Sequence, residues 1–114
     1  MSAAPTPVAD GAYAGFLRQM NEAMARMMRA MHAPGTSGNA DRDFLAMMIP
    51  HHQGAVDMAN LALQHGRDPA TRRLAEEIIA AQQTEIEGMR RRLAALRAPR
   101  IPATHPELGG TRGP

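Results

Sequence analysis

Hydrophobic residues recur at alternating steps of three and four along three long stretches of this 114-residue chain, which is the spacing of amphipathic helices. The first stretch begins near residues 10 to 12 and ends at about His32, before the Pro- and Gly-containing segment Ala33–Gly38. Its apolar positions are Tyr13, Leu17, Met20, Met24, Met27 and Met31. We therefore expect a first helix that buries a methionine-rich face.

The second stretch contains two adjacent histidines and a proline inside an otherwise helical pattern. We expect it to start with Asn39 or Asp41 as N-cap and to end at His65. One side carries Phe44, Met48, His51, Ala55, Met58 and Ala62, and the other carries Gln53, Asp57, Asn60 and Gln64. Pro50 leaves one carbonyl without its partner, which predicts a kink or short break that turns His51 and His52 towards the interior.

The third stretch has a strong helix start, with Asp68 as N-cap and Pro69 at the first helical position. It runs to about Leu96 or Arg97. Its apolar seam, which includes one glutamine, is Ala75, Ile79, Gln82, Ile86, Met89, Leu93 and Leu96.

These three stretches predict an all-α fold, an up-down bundle of three long helices over residues 12–97. Residues 1–11 form a short polar segment that we expect to be disordered, and residues 98–114 form a Pro- and Gly-rich tail. The later two helices have apolar arcs wider than one neighbour covers. We therefore expect a homodimer to complete the bundle.

Composition narrows the chemistry available to the chain. It has no cysteine, which excludes disulfides, thiolate metal sites and thiol catalysis, and it has ten methionines against three aromatic residues. The formal net charge of +2 is too small to indicate a nucleic-acid partner.

No apolar run approaches the roughly 18 residues of a membrane span, so we expect no membrane insertion. The first ten residues lack a signal-peptide core and indicate a mature N-terminus rather than a targeting segment.

The histidine pair and the methionines form a set of soft donors. Met48 lies one turn before His51 and Met58 two turns after it, on the same side of one helix, and His52 is offset by one residue. Thioether and imidazole donors suit Cu(I), and the similarly soft silver ion is an alternative. The candidate ligands are His51, His52, Met48, Met58, Met24, Met27, Met28, Met31 and His32, and the expected supporting residues around them are Gln82, Glu85 and Met89.

Two other interpretations of the histidines stay open at this point. They are either packed core residues that donate to Gln82, Glu85 or the carbonyl freed by Pro50, in a purely structural or interaction module, or acid–base residues of an enzyme. The enzyme interpretation lacks a nucleophile, because no Ser or Thr lies in the apolar stripes. Zinc is disfavoured by the lack of a third histidine or carboxylate at a supporting spacing, and di-iron chemistry by the lack of Glu-x-x-His motifs. We expect a protein that is not an enzyme.

Two segments carry a resemblance to a known family. Met48–Ala59 (MIPHHQGAVDMA) and Ile78–Met89 (IIAAQQTEIEGM) resemble the domain-of-unknown-function family DUF 305 over about residues 40 to 97. Its members look like ferritin-like helical bundles without the di-iron ligands, are mostly exported bacterial proteins, and include CopM-type periplasmic copper-binding proteins. The positions that match the motif are Met48, His51, His52, Met58, Gln82, Glu85 and Met89.

The resemblance implies copper binding through Met and His, for sequestration or transfer. It also implies a periplasmic or extracellular location. A cytoplasmic location stays open, since no export signal is visible in the chain.

Overall fold

A computed structural model describes residues 11–99 of the chain, and three helices account for most of that range. Helix α1 spans Gly11–His32, α2 spans Ala40–His65 and α3 spans Pro69–Arg97, with no strand among the described residues. The all-α prediction is confirmed. None of these helices is long and apolar enough to cross a membrane. The predicted terminal segments lie outside the described residues, except that Gly11 already belongs to α1 and that 98–99 follow α3.

The helix starts follow from local capping. The Asn39 side chain accepts a hydrogen bond from the Arg42 backbone N–H at 2.9 Å and caps α2. Asp68 caps α3, because its carboxylate accepts from both the backbone N–H and the hydroxyl of Thr71, at 2.9 and 2.7 Å. Pro69 then occupies the first turn of α3, where its missing N–H has no cost. Asn39 was one of the two residues predicted to cap α2, and Asp68 was the predicted cap of α3, so both predictions are confirmed.

The three helices run up, down and up, with α2 in the middle. Pro50 and Gly54 of α2 lie against α1, whereas His52 and Ala59 lie against α3. At 100° per residue these two contact faces of α2 are roughly 170° apart. Among residues 11–99, no Cα of α1 comes within 8 Å of a Cα of α3. The helices therefore form an open layer in which α2 separates its two neighbours.

The buried core is small. Within residues 11–99 the buried hydrophobic side chains are Ala23, Ala46, Val56, Ala59, Ala75, Ile86 and Leu93, so that four of the seven are alanines. Small side chains let the helix backbones approach closely, but they remove little apolar surface from water. Seven large hydrophobic side chains stay exposed among the described residues, and they are Tyr13, Leu17, Met24, Met28, Phe44, Met47 and Leu74.

The predicted buried face of α1 is wrong in part. Tyr13, Leu17 and Met24 are exposed, and the contact with α2 is centred on Ala23, which is only 1% exposed. Met27 packs directly on Gly54 of α2. The two small residues allow the helices to approach along this line, which turns part of the methionine stripe away from the interface.

The predicted orientation of α2 also needs correction. Gln53, Asn60 and Gln64 are exposed as expected, but α1 covers part of their side of α2. Asp57 is half-buried there, and the neighbouring Ala46 and Pro50 are buried and half-buried. His51, expected in the interior, is exposed, while His52 is half-buried. The helix continues through Pro50 without the short break that was one of the two expected outcomes.

The cap of α3 gives a pH-dependent prediction. The hydrogen bonds from the Thr71 hydroxyl and then from its N–H lower the pKa of Asp68 below its usual value. Because the folded-state pKa is depressed, the stabilisation is complete above about pH 4 and is lost as pH falls through the lowered pKa. Asp68→Ala should therefore lower the Tm at pH 7, and its difference from the native chain should shrink on acidification.

Thermal unfolding followed by circular dichroism over a pH series measures this difference. Asp68→Asn is the matched control, since it keeps a capping oxygen without the titration. A Tm difference for Asp68→Ala that stays constant through acid pH would show that the charge of Asp68 plays no part.

Candidate functional site

His52 is held by both of its ring nitrogens. Nδ1 lies 3.0 Å from the Met48 carbonyl oxygen, one turn earlier on α2, and Nε2 lies 2.7 Å from Oε1 of Glu85 on α3. Both ring nitrogens therefore face oxygen atoms of the protein. A metal ion at either nitrogen would have to displace one of these contacts. His52 therefore links α2 to α3 through Glu85.

His51 is in a different environment, although it is the next residue. Its ring centroid is 6.1 Å from that of His52, and its side chain is exposed. Within residues 11–99 its ring has no hydrogen-bond partner. Met47 and Met48 lie one helical turn before it. His51 therefore offers a ring nitrogen whose lone pair is available.

The turn between α1 and α2 brings a second histidine close to the start of α2. Met31 and His32 at the end of α1 line one depression of about 270 Å³ together with Met47 of α2. The His32 ring, like that of His51, makes no hydrogen bond to the part of the chain that the structure describes. Asp43, which lines the same depression, is engaged by the Ser37 hydroxyl at 2.7 Å. Two thioethers and an imidazole from two helices thus meet here, and His51 lies one turn beyond Met47.

The other predicted ligands are dispersed. Met27 packs on Gly54, and Met58 lines an apolar groove between α2 and α3. Met24 and Met28 are exposed on α1, away from the α2 contact. The structure therefore divides the predicted ligand set into one cluster at the α1–α2 turn and several scattered methionines.

The predicted supporting residues differ from one another in their contacts. Glu85 holds His52, as described above. The Gln82 side-chain oxygen is buried and accepts no hydrogen bond from the described residues. Met89 is half-buried on α3. Of the three, only Glu85 is shown in a polar contact with a histidine.

Two features of the structure were not predicted from the sequence. Met47 was not among the predicted ligands because the apolar stripe was drawn through Met48, although its spacing of four residues from His51 was visible. The second is the contact of His65, whose Nε2 is 2.7 Å from Gln19 Oε1 and whose ring meets Phe16 edge-on. His65 therefore joins α1 to α2 and has a structural role.

The donor chemistry of the described region is restricted. No group of three or more His, Asp and Glu side chains within residues 11–99 is placed to hold a metal ion. Hard or borderline ions prefer such oxygen and nitrogen sets. The depression at the α1–α2 turn instead offers two thioethers and one imidazole, which suit soft ions, beside the Asp43 carboxylate that Ser37 engages.

Comparison with known proteins agrees with the motifs on α2 and α3. The profile of the family described as "Domain of unknown function (DUF305)" matches residues 3–93. A protein of Acanthamoeba polyphaga mimivirus, named "Uncharacterized protein L153", is 41% identical over 49 residues, which make up 43% of this chain. That alignment covers 32% of the viral protein, so the similarity is to about a third of that relative. Since the family profile spans most of its length, this chain belongs to the DUF305 family.

Proposed function

We propose that this protein binds a soft metal ion, Cu(I) first and Ag(I) as an alternative, for sequestration or transfer rather than catalysis. The observation that carries the proposal is the depression lined by Met31, His32 and Met47, with His51 one turn away. The metal ion would be what the protein sequesters or transfers, and not a cofactor of a reaction. The ligand set is thus a subset of the one expected from the sequence, with Met47 added.

The chemistry of the four side chains favours this assignment. Thioethers are polarizable donors that carry no proton to displace, and Cu(I) accepts a few such ligands in low-coordinate geometries. The rings of His32 and His51 have no partner among residues 11–99 to give up, so binding would cost few existing contacts. His52 would first have to release Glu85, which makes it a poor ligand.

A non-catalytic structural or interaction module is the alternative. It explains His52 and His65 well, since each makes a short contact with a neighbouring helix. It gives no role to His32 and His51, which are exposed and make no ring hydrogen bond to the described residues. The unpartnered histidines are therefore the reason to prefer metal binding.

The proposal extends to location and assembly. A chain that handles copper where thiols oxidise gains from methionine and histidine donors, which suits a periplasmic or extracellular protein without cysteine. We also propose a homodimer, because the large exposed hydrophobic side chains call for a partner.

Replacing both Met31 and Met47 by leucine should weaken Cu(I) binding by about tenfold or more, equivalent to about 1.4 kcal/mol. Leucine keeps the volume but removes the sulfur, so the free energy of unfolding should change by less than about 1.5 kcal/mol. Competition titration against a Cu(I) chelator gives the affinity, and thermal unfolding gives the stability.

The matched control replaces Met58 and Met89, which lie outside the depression, by leucine. This variant should bind Cu(I) like the native chain. Equal losses in the two double variants, or no loss in either, would count against a site at the α1–α2 turn.

A further inference from the structure

The two sides of the three-helix layer differ in polarity. Large exposed hydrophobic side chains belong to one side, which we call the open face, and they are Tyr13, Leu17, Met24, Met28, Phe44, Met47 and Leu74. The opposite side of the α1–α2 pair has a polar depression lined by Gln19, Glu22, Arg26, Asp57, Asn60 and Leu61.

Two connected grooves place Tyr13 and Leu74 on one side of the layer. Tyr13 lines a groove of about 420 Å³, and Leu74 lines one of about 300 Å³, and both grooves include Ala62 and Thr71. Tyr13 and Leu74 therefore border one continuous depression that crosses from α1 to α3. Leu17, Met24 and Met28 follow Tyr13 at steps of four, seven and four, which keeps them on the same side of α1.

The corresponding stripe on α2 contains His51. Ala62 lines both grooves, and Met58, Ala55, His51 and Phe44 precede it at steps of four, three, four and seven. His51 is thus a polar side chain within a largely apolar face. This is the stripe that the sequence predicted to be interior, and within residues 11–99 its Phe44 and His51 are exposed.

We propose that the open face binds a second copy of this chain, and that helix α2 of that copy lies over His51 and closes the copper site from solvent. The interface between two copies is inferred from the apolar surface alone. The closure of the copper site rests on the proposed function.

The exposed area has the size that a dimer interface needs. The seven side chains are 41–55% exposed, so that, with roughly 150–250 Å² for a whole large side chain as the upper guide, the open face presents on the order of 700 Å² of apolar surface. A standard interface buries about 800 Å² on each partner, whereas the largest apolar patch of a typical monomer is about 300–600 Å². The small core, mostly alanine, agrees with a chain whose burial is incomplete.

A second copy fits this face better than the rest of the chain does. Outside residues 11–99, the large hydrophobic side chains are only Met1, Val8, Ile101 and Leu108, too few to cover seven. Homodimer interfaces are more apolar than those of transient complexes, and an isologous dimer uses the same patch twice. The open face is largely apolar, and the same face of a second copy can pack against it.

The position of the two-fold axis follows from the extent of the face. Tyr13 and Leu74 lie near the C-terminal end of α2, and Phe44 and Met47 lie near its start. An axis through the middle of this face passes near the middle of α2, beside His51 and Ala55. The two copies of each of these residues are then close together.

The oligomeric state of the metal-free chain tests the interface. Leu17→Glu with Leu74→Glu places charges on two side chains that are 41% and 55% exposed in the single chain. The native chain should sediment as a dimer at tens of micromolar, and this variant should sediment as a helical monomer. The control, Gln64→Glu with Gln83→Glu, adds the same charge at exposed polar positions away from the open face and should remain dimeric. A native chain that is monomeric would overturn the proposal.

Single cysteines give a second test that does not depend on charged variants folding. The chain has no cysteine, so any disulfide must join the introduced residue to its copy in another chain. A disulfide needs Cβ atoms about 3.5–4.5 Å apart, which only positions beside the axis provide. Ala55→Cys should form covalent dimers on mild oxidation, and Asn60→Cys on the polar side should not. Equal or greater cross-linking of Asn60→Cys would overturn the proposed face.

Copper titration tests the closure of the site. The monomeric Leu17→Glu, Leu74→Glu variant keeps all four proposed ligands, and its Cu(I) affinity should be about tenfold lower because water then reaches His51. Unchanged affinity in that monomer would overturn the closure of the site by the partner's α2. A native dimer that binds no Cu(I) would overturn the proposed function and the closure, while the interface would stand.

Discussion

His51→Ala should lower the affinity for Cu(I) by about a hundredfold or more, because it removes a ligand, and losing even a supporting residue costs about 10–100-fold at metal sites. The fold should be nearly unaffected, since the His51 side chain is exposed and its ring makes no hydrogen bond to residues 11–99. A competition titration against a Cu(I) chelator measures the affinity, and far-UV circular dichroism checks the helical content.

His52→Ala should have the reverse effect. It breaks the contacts with Glu85 and with the Met48 carbonyl, so it should destabilise the fold. Because Glu85 is 59% exposed, solvent screens the pair and the cost should be only about 1 kcal/mol. Most of the Cu(I) affinity should remain. Two adjacent histidines that looked equivalent in the sequence would then separate into a ligand and a structural contact.

A histidine outside the site supplies the control for both variants. His65→Ala removes the contact with Gln19 and should cost stability without changing the Cu(I) affinity. If His52→Ala loses more affinity than His51→Ala, the metal lies on the α2–α3 side and the depression at the α1–α2 turn is not the site.

Gly54→Val should destabilise the protein by about 3 kcal/mol, the upper part of the range for overpacking a close contact. A Cβ at Gly54 would lie 2.8 Å from Cγ and 3.1 Å from Cβ of Met27, and closer still to its sulfur. The Met27 Cβ cannot move away without a shift of α1, and the β-branched valine adds further atoms at the same place. The free energy of unfolding is measured by denaturant titration.

The same substitution at another helical glycine is the control. At Gly88 the only neighbour that an added Cβ would meet is the end of the Arg91 side chain, at 3.9 Å. Gly88→Val should therefore be neutral or gain a few tenths of a kcal/mol from helix propensity. In a Met27→Ala background the cost of Gly54→Val should fall sharply, since the clashing side chain is gone. A cost that is independent of Met27 would show that the helices do not meet along this line.

The helices and their ends could be predicted from the sequence because the interactions that set them are local. Asn39 and Asp68 each cap a backbone N–H three residues away, and Pro69 is suited to a first turn whatever its tertiary surroundings. The α2 and α3 motifs were also enough to identify the family. The copper assignment was drawn from the same residues and stays a proposal.

The face that each helix buries was decided by tertiary packing. Helix α1 offers two overlapping apolar stripes, and periodicity favoured the one with the larger side chains, through Tyr13 and Met24. The structure buries the one through Ala23, because alanine there and Gly54 on α2 allow the backbones to approach. Hydrophobic periodicity reports which residues are apolar, but not how closely a neighbouring helix can come.

The difference between the two histidines has the same origin. The sequence by itself determined that His51 and His52 are adjacent on one helix, about 100° apart, with methionines one turn away. Only the placement of α3 decided that Glu85 reaches His52 and leaves His51 without a partner among the described residues. A contact across 33 positions of sequence depends on where two helices meet, and that is set by the packing of all three.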